Sequence, residues 1–234
     1  MGQKLLPQGE GEGVPFIPIL AEGPGWIVVN KPAGVPVHRG LSWDLPLVEI
    51  LHSQLGRYVW PVHRLDQPVS GCLLVALTAE GVEGWAQRLA EGKKTYLALC
   101  RGTWRREGEV YWERALKNTK GVMQEAATRV DCIGSSEEPR CSLLRAWPTT
   151  GRYHQVRRHV RDLDHPIVGD VEHGCRATNR LWRETGLRRL ALHCLRLELE
   201  GLSVQAPLPP ELLLHYQKLP FWAEALQKEP ELEG

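Results

Sequence analysis

Hydrophobic positions along this chain repeat at two periods, and segments of the two kinds follow one another without a regular alternation. Trp26–Asn30 (WIVVN) is a β-branched run that stops at Lys31-Pro32-Ala33-Gly34, which predicts a buried strand entering a turn. Leu45–Leu55 carries apolar residues at 47, 48, 51 and 55, the spacing of a short amphipathic helix. Tyr58–Leu65 and Cys72–Leu77 read as strands joined by the turn formers of Asp66–Gly71. Glu80–Glu91 predicts a helix with Val82, Trp85 and Leu89 on one side. Further strands are expected at Thr95–Cys100, Glu109–Leu116, Ala126–Ile133 and Ser142–Trp147. Thr150 is placed to cap a helix from Gly151 to about Leu163, broken by Pro166. Leu190–Glu200 predicts another strand, paired across Gly201 with Ser203–Ala206, and a helical tail covers Pro210 to Lys228. This order predicts an α+β fold rather than a doubly wound sheet. No repeat of solenoid period is present.

Residues 1–17 are rich in Gly, Glu and Pro and read as a flexible arm ahead of a single domain over 18–234. Their G-E-G-E-G has neither a strand before it nor a helix after it, so it reads as linker rather than as a phosphate loop. With 234 residues, 42% of them hydrophobic and 24% charged, the chain can bury a sizeable core. The longest apolar run, Cys72–Leu77, falls far short of the ~20 residues that span a bilayer, and no signal-peptide core is seen. The six cysteines form no C-x-x-C pair. Reduced thiols and a cytoplasmic protein are therefore expected.

Net charge is only +1, but its distribution is uneven. Between Arg145 and Arg196 there are eleven Arg, no Lys and five acids, an excess of six positive charges. Such a stretch suits a polyanion. Within it, His154, Arg157, Arg158 and Arg161 fall at i, i+3, i+4 and i+7, one basic face of the expected helix. Like charges so placed repel by a few tenths of a kcal/mol per pair, a cost that a polyanion or a buried carboxylate would offset.

The other unusual segment is His63-Arg64-Leu65-Asp66, followed by Pro68, Ser70 and Gly71. Charged residues between two apolar strands can face a cleft at a strand end. Equally, the residues alone fit a turn aspartate capping its own backbone, with Arg64 on the surface. Lys93-Lys94-Thr95-Tyr96 puts an aromatic at the head of a strand, where a core tyrosine is the plainer reading. His165-Pro166-Ile167-Val168-Gly169-Asp170, with Glu172 and His173 after it, raises a metal site. No H-E-x-x-H or paired-Cys spacing supports one, so no metal is expected.

Taken together, six segments resemble the RluA family of pseudouridine synthases over about residues 18–210. They are N-K-P-x-G (Asn30–Gly34), H-R-L-D-x-x-x-S-G (His63–Gly71), K-x-Y (Lys94–Tyr96), G-R-x-H-Q-x-R (Gly151–Arg157), H-P-I-x-G-D (His165–Asp170) and R-L-x-L-H (Arg189–His193). HPIVGDVEHGCRATNR, GLRRLALH and V-H-R-G (Val37–Gly40) are most similar to the TruC type, which acts on uridine 65 of tRNA. Val69 stands where that family often has Thr, and Gln67 where TruC-like members commonly have Arg.

The resemblance implies a pseudouridine-synthase fold, a mostly antiparallel bent sheet with flanking helices and an active-site cleft. It implies an RNA substrate, tRNA first, with ribosomal RNA, another tRNA site or a catalytically inactive RNA-binding relative as alternatives, and no cofactor; no membrane partner and a monomer are expected. Asp66 takes the catalytic role, Arg157 pairs with it through a bidentate fork, and Tyr96 stacks on the extruded uracil and serves C5 deprotonation. Arg64 fills the space left by the flipped base, Leu192 forms an apolar wall, and His63, Arg152, His154 and Gln155 contact substrate.

Overall fold

In the computed structural model, which describes residues 15–39 and 44–233, ten strands join in one sheet. The elements run β1 (Ile19–Gly23), β2 (Trp26–Lys31), α1 (Leu47–Leu55), β3 (Trp60–Pro61), β4 (Ser70–Ala76), α2 (Gly81–Glu91), β5 (Lys93–Arg101) and β6 (Val110–Glu113). They continue as β7 (Leu116–Lys117), β8 (Met123–Gln124), β9 (Ala127–Glu137), β10 (Arg140–Pro148), α3 (Gln155–Asp162), α4 (Arg176–Glu184), β11 (Leu192–Leu199), β12 (Leu202–Gln205), α5 (Pro210–Tyr216) and α6 (Trp222–Lys228). The sheet order is β1-β2-β4-β11-β5-β10-β9-β6, with β12 on β11 and β3 on β4; β7 and β8 form a separate hairpin. No helix among the described residues is long and apolar enough to cross a membrane.

Every strand pairing among the described residues is antiparallel except β4 with β11. That exception is short, Ser70 opposite His193 and Gly71 opposite Cys194, after which β12 takes over the same edge of β11. All seven residues of β4 are buried, as are Thr95–Cys100 of β5, so both faces of the central strands are covered. Register shifts at Leu143/Leu144 and Cys194/Arg196 are the sites at which such a sheet bends.

Gly71 lets β4 and β11 meet. Its φ is +115°, and a Cβ there would lie 2.1 Å from the Cys194 carbonyl oxygen, so no side chain fits. Beside it, Ser70 Oγ lies 2.8 Å from His193 Nδ1 and accepts a bond from Arg189 at 2.6 Å. The S-G of one motif is thereby tied to the R-L-x-L-H of another, 119 residues away.

The pattern reading and the structure differ at identifiable points. The expected strand over Tyr58–Leu65 shrinks to Trp60–Pro61. Pro61 has no N–H to continue a ladder, and the chain is instead fastened by the Val62 N–H to Leu74 O and by the Leu74 N–H to His63 Nε2. The helix expected from Gly151 begins at Gln155, because His154 is left-handed at φ 52°. Thr150 does not cap it; its hydroxyl donates to the Gln155 side-chain oxygen at 2.6 Å. The α4 helix has no buried residue, and so gives no apolar stripe to read. Residues 1–14 of the expected arm, and Gly40 of V-H-R-G, lie outside the described residues; Ile17 is buried and bonded on both sides by the Gln54 amide. All six cysteines are unpaired.

Several histidines are buried in their neutral form. Burial, then Lys94, pushes His63 down to about 3; burial first also brings His193 to about 4. The unfolded chain takes up these protons near pH 6.5, while the folded chain refuses them until far lower. Their contribution to stability is therefore complete above about pH 6.5 and is lost as pH falls toward 4. Chemical denaturation followed between pH 8 and 4 should show this fall, with a shallower slope in His193→Gln. Gly71→Ala should leave little soluble folded protein.

Candidate active site

Where β4 and β11 run side by side, the loop before β4 delivers Asp66 to the floor of a cleft of about 380 Å³. The loop is pinned from below. Lys31, fully buried at the end of β2, donates to the carbonyls of Pro32, Val35 and Gln67 at 2.9, 2.7 and 3.1 Å. The Gln67 amide in turn donates to Gly34 O and to Asp44, both at 2.9 Å. The N-K-P-x-G segment is thus the cradle of the aspartate loop, and Gln67 helps close it.

Arg157 enters from the first turn of α3, with its side chain 4% exposed. Its NH1 donates to Asp66 Oδ2 at 3.2 Å. The bidentate fork expected for Asp66 goes elsewhere: Nε and NH2 bind the two oxygens of Asp170 at 2.7 and 2.8 Å. Asp170 ends the H-P-I-x-G-D turn and is only 1% exposed, so it takes the in-plane geometry that a fully desolvated pair requires. Burial acts to raise its pKa, but the Arg157 bond and the His173 N–H outweigh that and hold it below the ordinary value. Burial opposes the Arg157 charge as well, and the two aspartates more than restore it. Asp66 keeps its side chain 18% exposed, at the open side of this buried pair.

All nine residues expected at the site line the cleft, and the structure divides them by what their polar atoms do. Arg64 is exposed and makes no side-chain hydrogen bond or ion pair among the described residues. Leu192 is 2% exposed and forms an apolar wall. Tyr96 is buried, and burial, then Cys194 and Asp66, hold its phenol well above the ordinary value, so it stays protonated at neutral pH. Arg152 donates through Nε to Glu125 O. Gln155 spends its amide inside the protein, accepting from Thr150 and the Arg152 N–H and donating to Ala127 O and Thr128. His63 Nε2 is occupied by the Leu74 N–H. These last two hold the walls rather than reaching into the space.

His154 is turned toward Asp66, with Nε2 3.7 Å from Oδ2, while Nδ1 lies 3.0 Å from His173 Nε2. Tyr153 stacks on its ring at 3.6 Å between centroids. The basic helical face expected from spacing does not exist. His154 precedes the helix, Arg157 points inward, Arg158 reaches the Lys117 carbonyl, and Arg161 pairs with Asp162.

Residues that the sequence did not single out for the site include Lys94, Tyr153 and the hairpin pair Asn118–Thr119. Asp170, considered there only as a metal ligand, is the partner of Arg157. His154, Glu172 and His173 do place ligand atoms within 4.8 Å of one another, the one such group among the described residues. Arg157 NH2 lies 3.6 Å from Glu172, so a cation there would meet a guanidinium.

A carboxylate beside a guanidinium, at the floor of a cleft with apolar and cationic walls, is equipped to act on an uncharged ring and to hold phosphates around it. Comparison with known proteins agrees with this geometry. The family model described as RNA pseudouridylate synthase matches residues 25–162. The chain is 38% identical to tRNA pseudouridine synthase C of Pasteurella multocida, over 76% of this chain and 84% of that one. It is 35% identical to the ribosomal large subunit pseudouridine synthase C of the same organism, over 83% and 65%. The solved structure of human RNA pseudouridylate synthase domain containing 1 superposes with a TM-score of 0.64 at 26% identity, covering 87% of this chain and 89% of that one. The chain belongs to the RluA family of RNA pseudouridine synthases. It is an isomerase of the pseudouridine-synthase fold.

Breaking the buried Arg157–Asp170 pair strands a charge. Asp170→Asn should cost on the order of 3–5 kcal/mol in denaturant unfolding. Asp170 stays ionised to lower pH than in the unfolded chain, so its contribution is present above its unfolded value, near pH 4, and is lost as pH falls through the folded one. The variant should accordingly show a flatter profile below pH 4.

Proposed function

We propose that this enzyme isomerises uridine 65 of tRNA to pseudouridine, with Asp66 as the catalytic carboxylate. The observation that carries the proposal is the placement of Asp66, partly exposed at the cleft floor with Arg157 NH1 at 3.2 Å. The similarity to tRNA pseudouridine synthase C supports tRNA as the substrate.

The reaction breaks the N1–C1′ bond, turns the uracil and joins C5 to C1′; C5 loses a proton and N1 takes one up, so the mass is unchanged and no electron is transferred to an acceptor. A carboxylate serves it either by attacking C1′ or by removing the C2′ proton to leave a glycal. Both routes use Asp66, and the Arg157 guanidinium at 3.2 Å holds that carboxylate in position at the cleft floor. The target base must leave its stack, at a cost of a few kcal/mol. Arg64, whose side chain has no partner among the described residues, takes its place in the helix. Tyr96 and Leu192 form the face on which the extruded uracil rests. A phenol held protonated suits stacking and proton relay through water better than direct removal of the C5 proton.

His154 and Arg152 line the cleft on the substrate side, and His63 and Gln155 position its walls. The chain acts in the cytoplasm as a monomer, as one catalytic domain over 18–234, and needs neither cofactor nor metal. Ribosomal RNA is the second reading, favoured by the similarity to the large-subunit enzyme.

Four measurements test the proposal. Asp66→Asn should abolish pseudouridine formation while RNA affinity stays within a few-fold; turnover near wild type removes Asp66 as the catalyst. The product should be an isomerised nucleoside of unchanged mass, whereas free uracil and an abasic site would make the protein a hydrolase. Carbodiimide-stop sequencing of total RNA, from cells with and without the gene, should lose one stop in tRNA T stems; loss in ribosomal RNA instead supports the second reading. Activity should survive exhaustive chelation, and strict dependence on a transition metal contradicts the mechanism.

A further inference from the structure

The cleft is not the only sizeable cavity among the described residues. A second pocket, of about 430 Å³, opens at the far end of β5 and β10. Arg101 on its wall lies five residues along β5 from Tyr96, a distance of about 16 Å at ~3.3 Å per residue. One wall is apolar, made by Leu181 and Trp182 of α4, with Leu181 60% exposed. The other is cationic, made by Arg101, Arg140 and Lys218.

No carboxylate lines this pocket, and among the described residues none of the three cationic side chains has an ion-pair or hydrogen-bond partner. Around it the exposed α4 carries Arg176, Arg180 and Arg183, which also lack a partner among the described residues. This is the opposite of the treatment given to Arg145, Arg157, Arg161, Arg189 and Arg196, each of which faces at least one acid. A set of unneutralised cations around an apolar shelf is costly in the free protein and fits a ligand with a flat ring and a phosphate.

The pocket is also mechanically joined to the cleft. Asn179, on α4, accepts the Gly169 N–H at 2.8 Å and donates to the Asp170 carbonyl at 2.7 Å. The helix that walls the second pocket is therefore bolted to the turn that supplies the partner of Arg157. One RNA molecule held at both places would be fixed relative to Asp66.

We propose that the pocket between α4 and the Arg101–Arg140 end of the sheet binds an unpaired nucleotide of the RNA substrate, away from the uridine being modified. Its base lies on Leu181 and Trp182, and its phosphate is held by Arg101, Arg140 and Lys218. The α4 arginines extend the contact along the adjoining backbone. The inference rests on the reading of the chain as an RNA-modifying enzyme and adds a second, non-catalytic anchor to it.

Two measurements decide it. In the first, KM and kcat are compared for a full-length tRNA transcript and for a closed hairpin of the target stem that has no unpaired end. Arg101→Glu/Lys218→Glu should raise KM for the transcript at least fivefold at unchanged kcat. The hairpin should be unaffected, and the salt dependence of transcript binding should flatten by about one unit per lost phosphate contact. An unchanged KM, or equal losses on both RNAs, overturns the proposal.

The second does not depend on turnover or on which uridine is modified. A single-stranded RNA tetranucleotide containing 4-thiouridine is photocrosslinked to the full chain. Adducts on residues 181–183, lost in Trp182→Ala with an unchanged melting temperature, support the pocket. Adducts confined to residues 152–157 of the cleft, or none at all, overturn it. A chain that crosslinks at 181–183 but isomerises neither RNA keeps the pocket and loses the proposed substrate.

Discussion

One guanidinium sets the geometry of this enzyme. Arg157 gives its fork to Asp170, which is sealed from solvent, and one remaining N–H to Asp66, which is not. The division has a physical reason. The more deeply buried carboxylate suffers the larger desolvation and needs the two-point contact, while the cleft-facing one must keep an oxygen available to substrate. Because Arg157 is anchored by Asp170, it can approach Asp66 without depending on Asp66 for its own position. A single pair of Asp66 and Arg157 would leave each free to move with the other.

Around that centre, the motif residues sort into two kinds. Gly71, Ser70, His193 and Arg189 weld β4 to β11, and Lys31 and Gln67 fasten the aspartate loop that precedes β4. Gln155 and His63 satisfy buried backbone and side-chain groups that would otherwise be orphaned. Few groups have polar or ring surface left for a ligand: Arg64, Tyr96, His154 and Asp66 itself. Most of the chemistry-bearing sequence is therefore scaffolding, and its polar character reflects the cost of burying hydrogen-bonding groups, not contact with RNA.

The charge distribution follows the same logic. Of the arginines between 145 and 196, those near the sheet are paired with acids or turned inward, so their charge is cancelled locally. Arg176, Arg180 and Arg183 of α4, with Arg101 and Arg140 beside the second pocket, have no side-chain partner among the described residues. Field strength for a polyanion is thus concentrated on one part of the surface, where it is not cancelled locally.

Periodicity alone located β2, β4, β5, β9, β10 and β11, because central strands of a covered sheet are long apolar runs bounded by turn residues. It also located α1 and α2, whose apolar stripes face the core. The family motifs then gathered Asp66, Tyr96 and Arg157 into one site. What the chain written out in a line did not contain was the partner choice of Arg157. Helical spacing grouped it with His154, Arg158 and Arg161, yet a left-handed His154 and a buried Asp170 turn it inward, and both are consequences of long-range packing. The exposed α4 escaped for the converse reason, having no buried face to mark it. Sequence determined which residues were present and which stretches had to be buried. Only the tertiary fold decided which charges met, since ion pairing depends on distance in space and on dielectric, and neither is written in residue order.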